Sequence, residues 1–412
     1  MMNPFLAIIL SFLILDFVLD IISNVLNMKA LKLKLPSYIG GIYKPDEYRN
    51  SQEYTRVYTR FELLHGSVNL AVILAFWFSG GFNYLDQLVR TWEVSPIISG
   101  LLYVGILVIG YSLITLPFSV YATFVIEERF GFNRTSPRTF LFDHLKSTGL
   151  SILIGGSLLA GVLALFEHTG ASAWLYGWLA AAVFIVIAQF IAPTWIMPLF
   201  NKFTRLKEGE LRDAILKYTH SVGYNISDIF VMDASRRTSK SNAFFTGFGR
   251  NKRIALFDTL VEKHTTPELV AVLAHEIAHY QKKHIQQGIV IGILNMGLIF
   301  FLLSLFINSP GLYQAFYMSQ PSVYAGLVFF SLLYIPVEML LSIVLNIISR
   351  RNEYQADRFA VETIEEPESI IDALKKLSTS NLSNLTPHPF YVFLNYSHPP
   401  LLDRIRAIER II

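Results

Sequence analysis

Long apolar stretches alternate with polar connections along the whole chain, a pattern that predicts helices crossing a membrane. Five stretches, residues 4–26, 62–79, 96–126, 148–166 and 174–200, precede a long polar segment, and two more, 286–308 and 323–348, follow it. About 20 helical residues cross the ~30 Å of hydrocarbon in a bilayer, so seven spans are expected. The second is short and stops at Gly80-Gly81, and the last contains Pro336 and Glu338. The first stretch carries Asp16 and Asp20 and has neither a basic start nor a small-residue cleavage site, so it reads as a retained helix rather than a signal peptide.

The polar segment 201–285 predicts a soluble insertion. A helical pattern over 209–223 is followed by β-like runs at 229–232, 242–247 and 253–257. Thr265-Thr266-Pro267-Glu268 then supplies a capping residue, an early proline and a first-turn acid, which start a helix. That helix is expected to run straight on into the sixth span. After the seventh span the helix continues through 349–357. The predicted fold is mostly α, a multi-pass membrane protein with a small β-sheet. Its expected parts are a five-helix membrane domain over 1–203 and a second domain over 204–412, which includes spans six and seven.

Composition agrees with a membrane class: 53% of the 412 residues are hydrophobic and only 16% are charged. Cysteine is absent, which excludes disulfides and leaves any metal site to nitrogen and oxygen ligands. The distribution of cations is more telling than the net charge of +3. Of 34 Lys and Arg, 33 lie in the connections before the second, fourth and sixth spans, or after the seventh; the remaining one is Arg90. The positive-inside rule then puts the basic segments in the cytoplasm and the N-terminus outside.

The candidate chemistry lies in Ala274-His275-Glu276-Ile277-Ala278-His279, a His-Glu-x-x-His pattern expected by chance on the order of 0.01 times in such a composition. Residues four apart share a helix face, so His275 and His279 can offer two imidazoles to one cation. The apolar neighbours make a bare polar pair on an ordinary helix costly. Catalytic zinc takes three protein ligands and leaves a position for water. Glu353, on the helix leaving the seventh span, is the candidate third ligand, and Asp357, one turn on, the candidate acceptor that fixes one histidine's tautomer. The competing reading of Glu353 and Asp357 is an exposed helix paired with Arg350 or Arg351. Glu276 is the candidate general base, and His398 a candidate donor to the developing oxyanion, with Arg404 holding the local acids. His398 beside Pro399-Pro400 reads equally well as a turn residue. Asn242 and Ala243 suit an edge strand that pairs with a substrate backbone, or equally an internal strand. His284 receives no role.

Several segments, in order, resemble the type I CAAX prenyl proteases, membrane-embedded zinc metallopeptidases: Glu127-Glu128-Arg129-Phe130-Gly131-Phe132-Asn133, residues 193–203, Ser241-Asn242-Ala243, His275 to His279, Glu353 to Asp357 and His398-Pro399-Pro400. The resemblance covers essentially the whole chain. It implies seven long helices enclosing a water-filled chamber, lined in part by Asp16 and Asp20, and a gluzincin-like catalytic domain near the cytoplasmic face. It implies one Zn2+ per chain on His275, His279 and Glu353, with Glu276 as base, Asp357 behind a ligand, Asn242 and Ala243 on the substrate backbone, and His398 and Arg404 on the oxyanion side. The implied activity is removal of the last three residues of a prenylated Cys-a-a-X sequence.

The expected partners are a peptide or protein substrate, prenylated or not, and membrane lipid; no feature points to nucleic acid, and no oligomer is implied. The C-terminal Glu409-Arg410-Ile411-Ile412 carries no basic retrieval signal, which suits the plasma membrane of a prokaryote; in a eukaryote the expected membrane is the endoplasmic reticulum. The rivals are a quality-control metalloprotease of misfolded membrane proteins, which typically has fewer spans, and a non-enzymatic scaffold or translocon regulator with a structural zinc, which would normally be closed by four ligands.

Overall fold

The computed structural model of the chain describes residues 3–32, 42–224, 226, 228–246 and 253–412; Gly247, expected at the end of a β run, falls outside them. The N-terminal half is built from α1 (Pro4–Ala30), α2 (Pro45–Phe78), a short α3 (Gly81–Arg90), α4 (Pro96–Glu127), α5 (Pro137–His168) and α6 (Gly170–Phe200). Four of these helices start on proline, which suits the first helical position because its missing N–H has no partner there. Asn3, Ser95 and Ser136 cap three of them, accepting N–H groups of the first turn. The helices therefore begin where the caps are rather than where the apolar run begins. α2 and α5 start at Pro45 and Pro137, well ahead of their expected spans at 62 and 148.

The insertion holds the expected helix and three β runs, with two additions, a first strand and a short helix before the one that carries the histidines. A strand β1 (Phe203–Arg205) precedes α7 (Glu210–Ser221), β2 (Asp228–Met232), β3 (Ala243–Thr246), β4 (Arg253–Phe257), α8 (Asp258–Lys263) and α9 (Thr266–Gln281). The sheet order is β1-β2-β4-β3, with β2 and β4 parallel and the other pairs antiparallel. β3 is thus an edge strand. Phe257 N–H donates to the Asn242 carbonyl at 3.1 Å, so the next residue, Ala243, turns its backbone groups away from β4 and toward the open edge.

α9 does not continue into the sixth span. The helix ends at Gln281, Lys283 takes a left-handed conformation (φ 62°), and a separate α10 (His284–Phe306) begins. The expectation of one continuous helix is corrected by this break, where two successive lysines leave the apolar pattern and the chain changes direction. The seventh span is a bent pair, α11 (Val323–Leu333) and α12 (Ile335–Thr363), meeting at 52° beside Pro336. α12 then runs out of its apolar part to carry Glu353 and Asp357, and α13 (Glu368–Ser380), α14 (Pro389–Asn395) and α15 (Leu401–Glu409) complete the chain.

Among the described residues six helices, and a seventh if the bent pair counts as one, are long and apolar enough to cross a membrane. Their surfaces expose large apolar side chains such as Leu113, Leu153, Val183 and Leu340, which suits contact with lipid. The chain is a multi-pass integral membrane protein. The core of the second half gathers Ile215, Ile254, Leu256, Ala271, Leu273, Ile277, Ala360 and Ile405. α9 sits in its middle, with Ala271, Leu273, Ala274, Ile277 and Ala278 fully buried. Each of its larger apolar side chains contributes about 1.5–3 kcal/mol.

Candidate metal centre

α9 starts where the sequence places its cap. Thr265 and Glu268 form a reciprocal capping box, and the Glu268 carboxylate also accepts from Lys376 Nζ at 2.8 Å. From this fixed start the helix brings His275 and His279 to one side, facing the first polar turns of α12. His275 Nε2 and His279 Nε2 are 3.2 Å apart, and Glu353 carboxylate oxygens lie 3.4 Å from the first and 3.5 Å from the second. Ligands held tetrahedrally at about 2.1 Å from a cation are about 3.4 Å apart, so the triangle fits a single metal ion. One oxygen of Glu353, only 4% exposed, has no hydrogen-bond partner. An unpaired buried carboxylate oxygen is expensive, and a cation on the open side of the triangle satisfies it.

The groups behind the triangle orient it. Asp357, almost fully buried, lies 2.9 Å from His275 Nδ1 and accepts Arg404 Nε and a terminal Arg404 nitrogen at 2.8 and 2.6 Å. A proton on Nδ1 leaves the Nε2 lone pair of His275 facing the triangle. Asp357 is not paired with Arg350, which donates to the Val392 and Tyr396 carbonyls instead. His279 is backed by His284: their Nδ1 atoms are 3.2 Å apart, and His284 Nε2 lies 3.0 Å from Gln355 Oε1. His284 and Gln355 were not legible as site residues. The usable signal is a third histidine five positions after His279, which reaches back only because of the turn at Lys283.

In the metal-free protein these groups share protons unevenly. Burial works against a charged His275, but Asp357 and Glu353 outweigh it and push the imidazole up to about 9. Burial and the charge of His275 bring His279 down to about 4. For Glu353 burial is again outweighed, by His275 and Arg404, and its carboxyl is held at about 2; Asp357 is held well below the carboxylate range against burial, chiefly by Arg404. Glu276 alone among the acids moves up, because burial strips water from its carboxylate.

A cavity of about 860 Å³ opens in front of the triangle, lined by Glu276, Asn242, Ala243, His398 and the faces of α10 and α12. His398 is largely exposed; its Nε2 is 3.4 Å from Glu353 and its Nδ1 is 3.0 Å from Ser397 Oγ. Asn242 Oδ1 accepts the Ala243 N–H at 2.8 Å. The expected site residues Asn242, Ala243, His275, Glu276, His279, Glu353, His398 and Arg404 line this one cavity, and Asp357 stands behind it against His275 and Arg404. Asp20 lies elsewhere, accepting from Asn24 at 2.8 Å on α1, and the exposed Asp16 and Glu338 take no part in the cluster.

Comparison with known proteins finds two family models, one on each part of the chain. Residues 24–202 match the family model for the CAAX prenyl protease N-terminal region of five membrane helices, and residues 205–412 match peptidase family M48. The chain is 34% identical to a CAAX prenyl protease 1 homolog of Oryza sativa subsp. japonica, over 98% of this chain and 97% of that one. It is 34% identical to CAAX prenyl protease 1 of Saccharomyces cerevisiae, over 93% and 90%, and 30% identical to a Homo sapiens homolog, over 91% and 88%. The crystal structure of S. mikatae Ste24p matches with a TM-score of 0.94 at 33% identity, covering 99% of this chain and 100% of that one.

Proposed function

The chain belongs to the CAAX prenyl protease 1 group of peptidase family M48, and from that premise we propose that it removes the C-terminal tripeptide from prenylated Cys-a-a-X proteins at a zinc centre on the cytoplasmic side of its membrane. It is a membrane metallopeptidase acting on peptide or protein substrates. The observation that carries the zinc reading is the 3.2–3.5 Å triangle of two imidazole nitrogens and one carboxylate, built without thiolates. Zinc bound there supplies a Lewis acid that acidifies water and polarises the scissile carbonyl.

The chain's own residues do the rest in this reading. Glu276, held half-buried and with its carboxyl raised, is basic enough to take the proton of the attacking water and then to hand it to the leaving amine. His398, given a proton on Nε2 by its Ser397 contact at Nδ1, donates to the developing oxyanion. Arg404 and Asp357 keep His275 at a fixed angle. The substrate pairs with the open edge of β3 at Ala243 as an added strand, and its lipid lies in a chamber among the spans. The division at 203/204 separates the membrane domain from the domain that carries this chemistry. The membrane follows the source cell, plasma membrane in a prokaryote and endoplasmic reticulum in a eukaryote. The full-length match to CAAX proteases argues against a general quality-control protease, and three protein ligands rather than four among the described residues argue against a structural zinc.

The test uses the purified full chain on a farnesylated Cys-a-a-X peptide and an unlipidated control. Wild type is expected to release the tripeptide from the first, and Glu276→Gln to lose about 10²–10⁴-fold in rate while keeping its zinc. An unchanged rate in the variant would remove Glu276 from the mechanism. Failure of wild type to cut the farnesylated peptide would overturn the CAAX reading.

A further inference from the structure

A second cleft of about 560 Å³ lies apart from the metal centre, between the first turns of α5, the end of α6 and the turn at Ala234–Arg236. Five cations line it, Arg138, Lys146, Lys202, Arg236 and Arg237, against a single carboxylate, Asp143. That carboxylate is already engaged, accepting Arg237 Nε at 2.7 Å and a second Arg237 nitrogen at 3.1 Å. Lys146 Nζ donates to the Leu199 carbonyl at 2.8 Å. Among the described residues, Arg138, Lys202 and Arg236 are exposed and have no carboxylate within ion-pairing distance. The backbone beneath them is fixed: Lys202 N–H donates to Asp233 at 2.6 Å, and Arg237 donates to Asn201 at 3.2 Å. A rigid concavity that crowds like charges is destabilised unless an anion enters it.

The wall of the cleft narrows the choice of anion. Phe142 on α5 and Leu199 on α6 line it beside the cations, and each is 49% exposed. Arg138 lies over the Phe142 ring at 5.7 Å, so a cation and an apolar face are presented together. The apolar run of α5 begins near residue 148 and that of α6 ends near 200, which puts this cleft at a membrane–water boundary. A free phosphate gains nothing from exposed apolar side chains; a molecule with a phosphate at one end and hydrocarbon at the other uses both.

We propose that this cleft binds the headgroup of an anionic phospholipid, with Arg138, Lys202 and Arg236 around the phosphate end and Phe142 and Leu199 against the first acyl methylenes. The lipid ties the start of α5 to the joint between α6 and β1, where the membrane helices pass into the sheet. The site is independent of the catalytic reading, and the control activity below separates the two.

Native mass spectrometry of the full chain in detergent, titrated with phosphatidylglycerol or phosphatidylcholine, reads it directly. Wild type is expected to retain phosphatidylglycerol in preference to phosphatidylcholine. Each of Arg138→Gln, Lys202→Gln and Arg236→Gln should weaken phosphatidylglycerol binding about fivefold, and the triple variant on the order of a hundredfold. A control triple with the same charge loss elsewhere, Lys217→Gln, Arg358→Gln and Lys375→Gln, should bind like wild type, and metallopeptidase activity in lipid-free detergent should be equal in all. If the triple fails to fold, the single variants carry the test. Equal retention of the two lipids, or undiminished phosphatidylglycerol binding in the cleft variants, would overturn the proposal. Displacement of the lipid by inorganic phosphate at matched concentration would also overturn it, by making the cleft a free-anion site.

Discussion

His275 and His279 are the same side chain on the same helix, yet their outer nitrogens meet different partners. Asp357, a carboxylate, stands behind His275; His284, another imidazole, stands behind His279. If His279 uses Nε2 toward the metal, its Nδ1 carries the proton, His284 accepts at Nδ1, and His284 Nε2–H donates to Gln355 Oε1 at 3.0 Å. Every contact in that chain is satisfied with no charge. His284→Leu removes the acceptor and is expected to weaken metal affinity about 10–100-fold, whereas His284→Asn, which keeps an acceptor near the Nδ1 position, should recover most of it. Competition of the purified protein against a chelator checks this; equal affinity in wild type and the leucine variant would show that His284 only fills space. The candidate ligands His275 and His279 were legible because their i to i+4 spacing follows helix geometry on α9, and Glu353 with Asp357 because they repeat that spacing on the helix leaving the seventh span. His284 was not, since its contact depends on a chain reversal at Lys283 that no periodicity announces.

At the scale of elements, the edge strand is held from both domains. Residues 237–241, which lead into it, bond on one side to the loop after α4. Arg134 N–H donates to the Arg237 carbonyl at 3.0 Å, Ser239 N–H donates to the Phe132 carbonyl at 3.0 Å, and Ser239 Oγ donates to the Gly131 carbonyl at 2.8 Å. On the other side Asn381 brackets Ser241, with its Oδ1 accepting the Ser241 N–H and its Nδ2 donating to the Ser241 carbonyl. Lys240 is the central pin: its Nζ lies 2.9 Å from Glu127, donates to Tyr54 at 3.0 Å and sits 4.4 Å over the Phe132 ring. The segment Glu127 to Asn133 stood out in the sequence, but what it touches did not, because the contacts cross more than a hundred residues. Lys240→Met or Glu127→Gln is expected to raise KM for the lipidated peptide about tenfold, the worth of one charged hydrogen bond, with metal content unchanged. Loss of metal in either variant, or an unchanged KM, would contradict a positioning role for this clamp. The membrane-length helices were legible from hydropathy, whereas their starts were not; caps at Ser136 and Lys44-Pro45 decide them, and these sit in polar sequence outside the apolar runs.

Across the whole molecule, the N-terminal and C-terminal ends clasp each other. Asn27 of α1 accepts from the backbone of His388 at 3.1 Å, and Tyr43 donates to the Ser378 carbonyl at 2.6 Å. Sequence alone could divide the chain at 203/204, yet α1 packs against α12 and α14 of the second part, a closure set by three-dimensional topology rather than by local pattern. The concentration of 33 of 34 cations in alternate connections supports the proposed placement of the metal centre, the edge strand and the basic cleft all at the cytoplasmic face. All of this rests on one open metal site with three protein ligands. Anomalous scattering at the zinc absorption edge, from crystals of the full chain, tests that claim most directly. A single peak about 2.0–2.2 Å from His275 Nε2, His279 Nε2 and a Glu353 oxygen, with no fourth protein ligand, is the result expected; a peak elsewhere, or a fourth side chain closing the site, would contradict it.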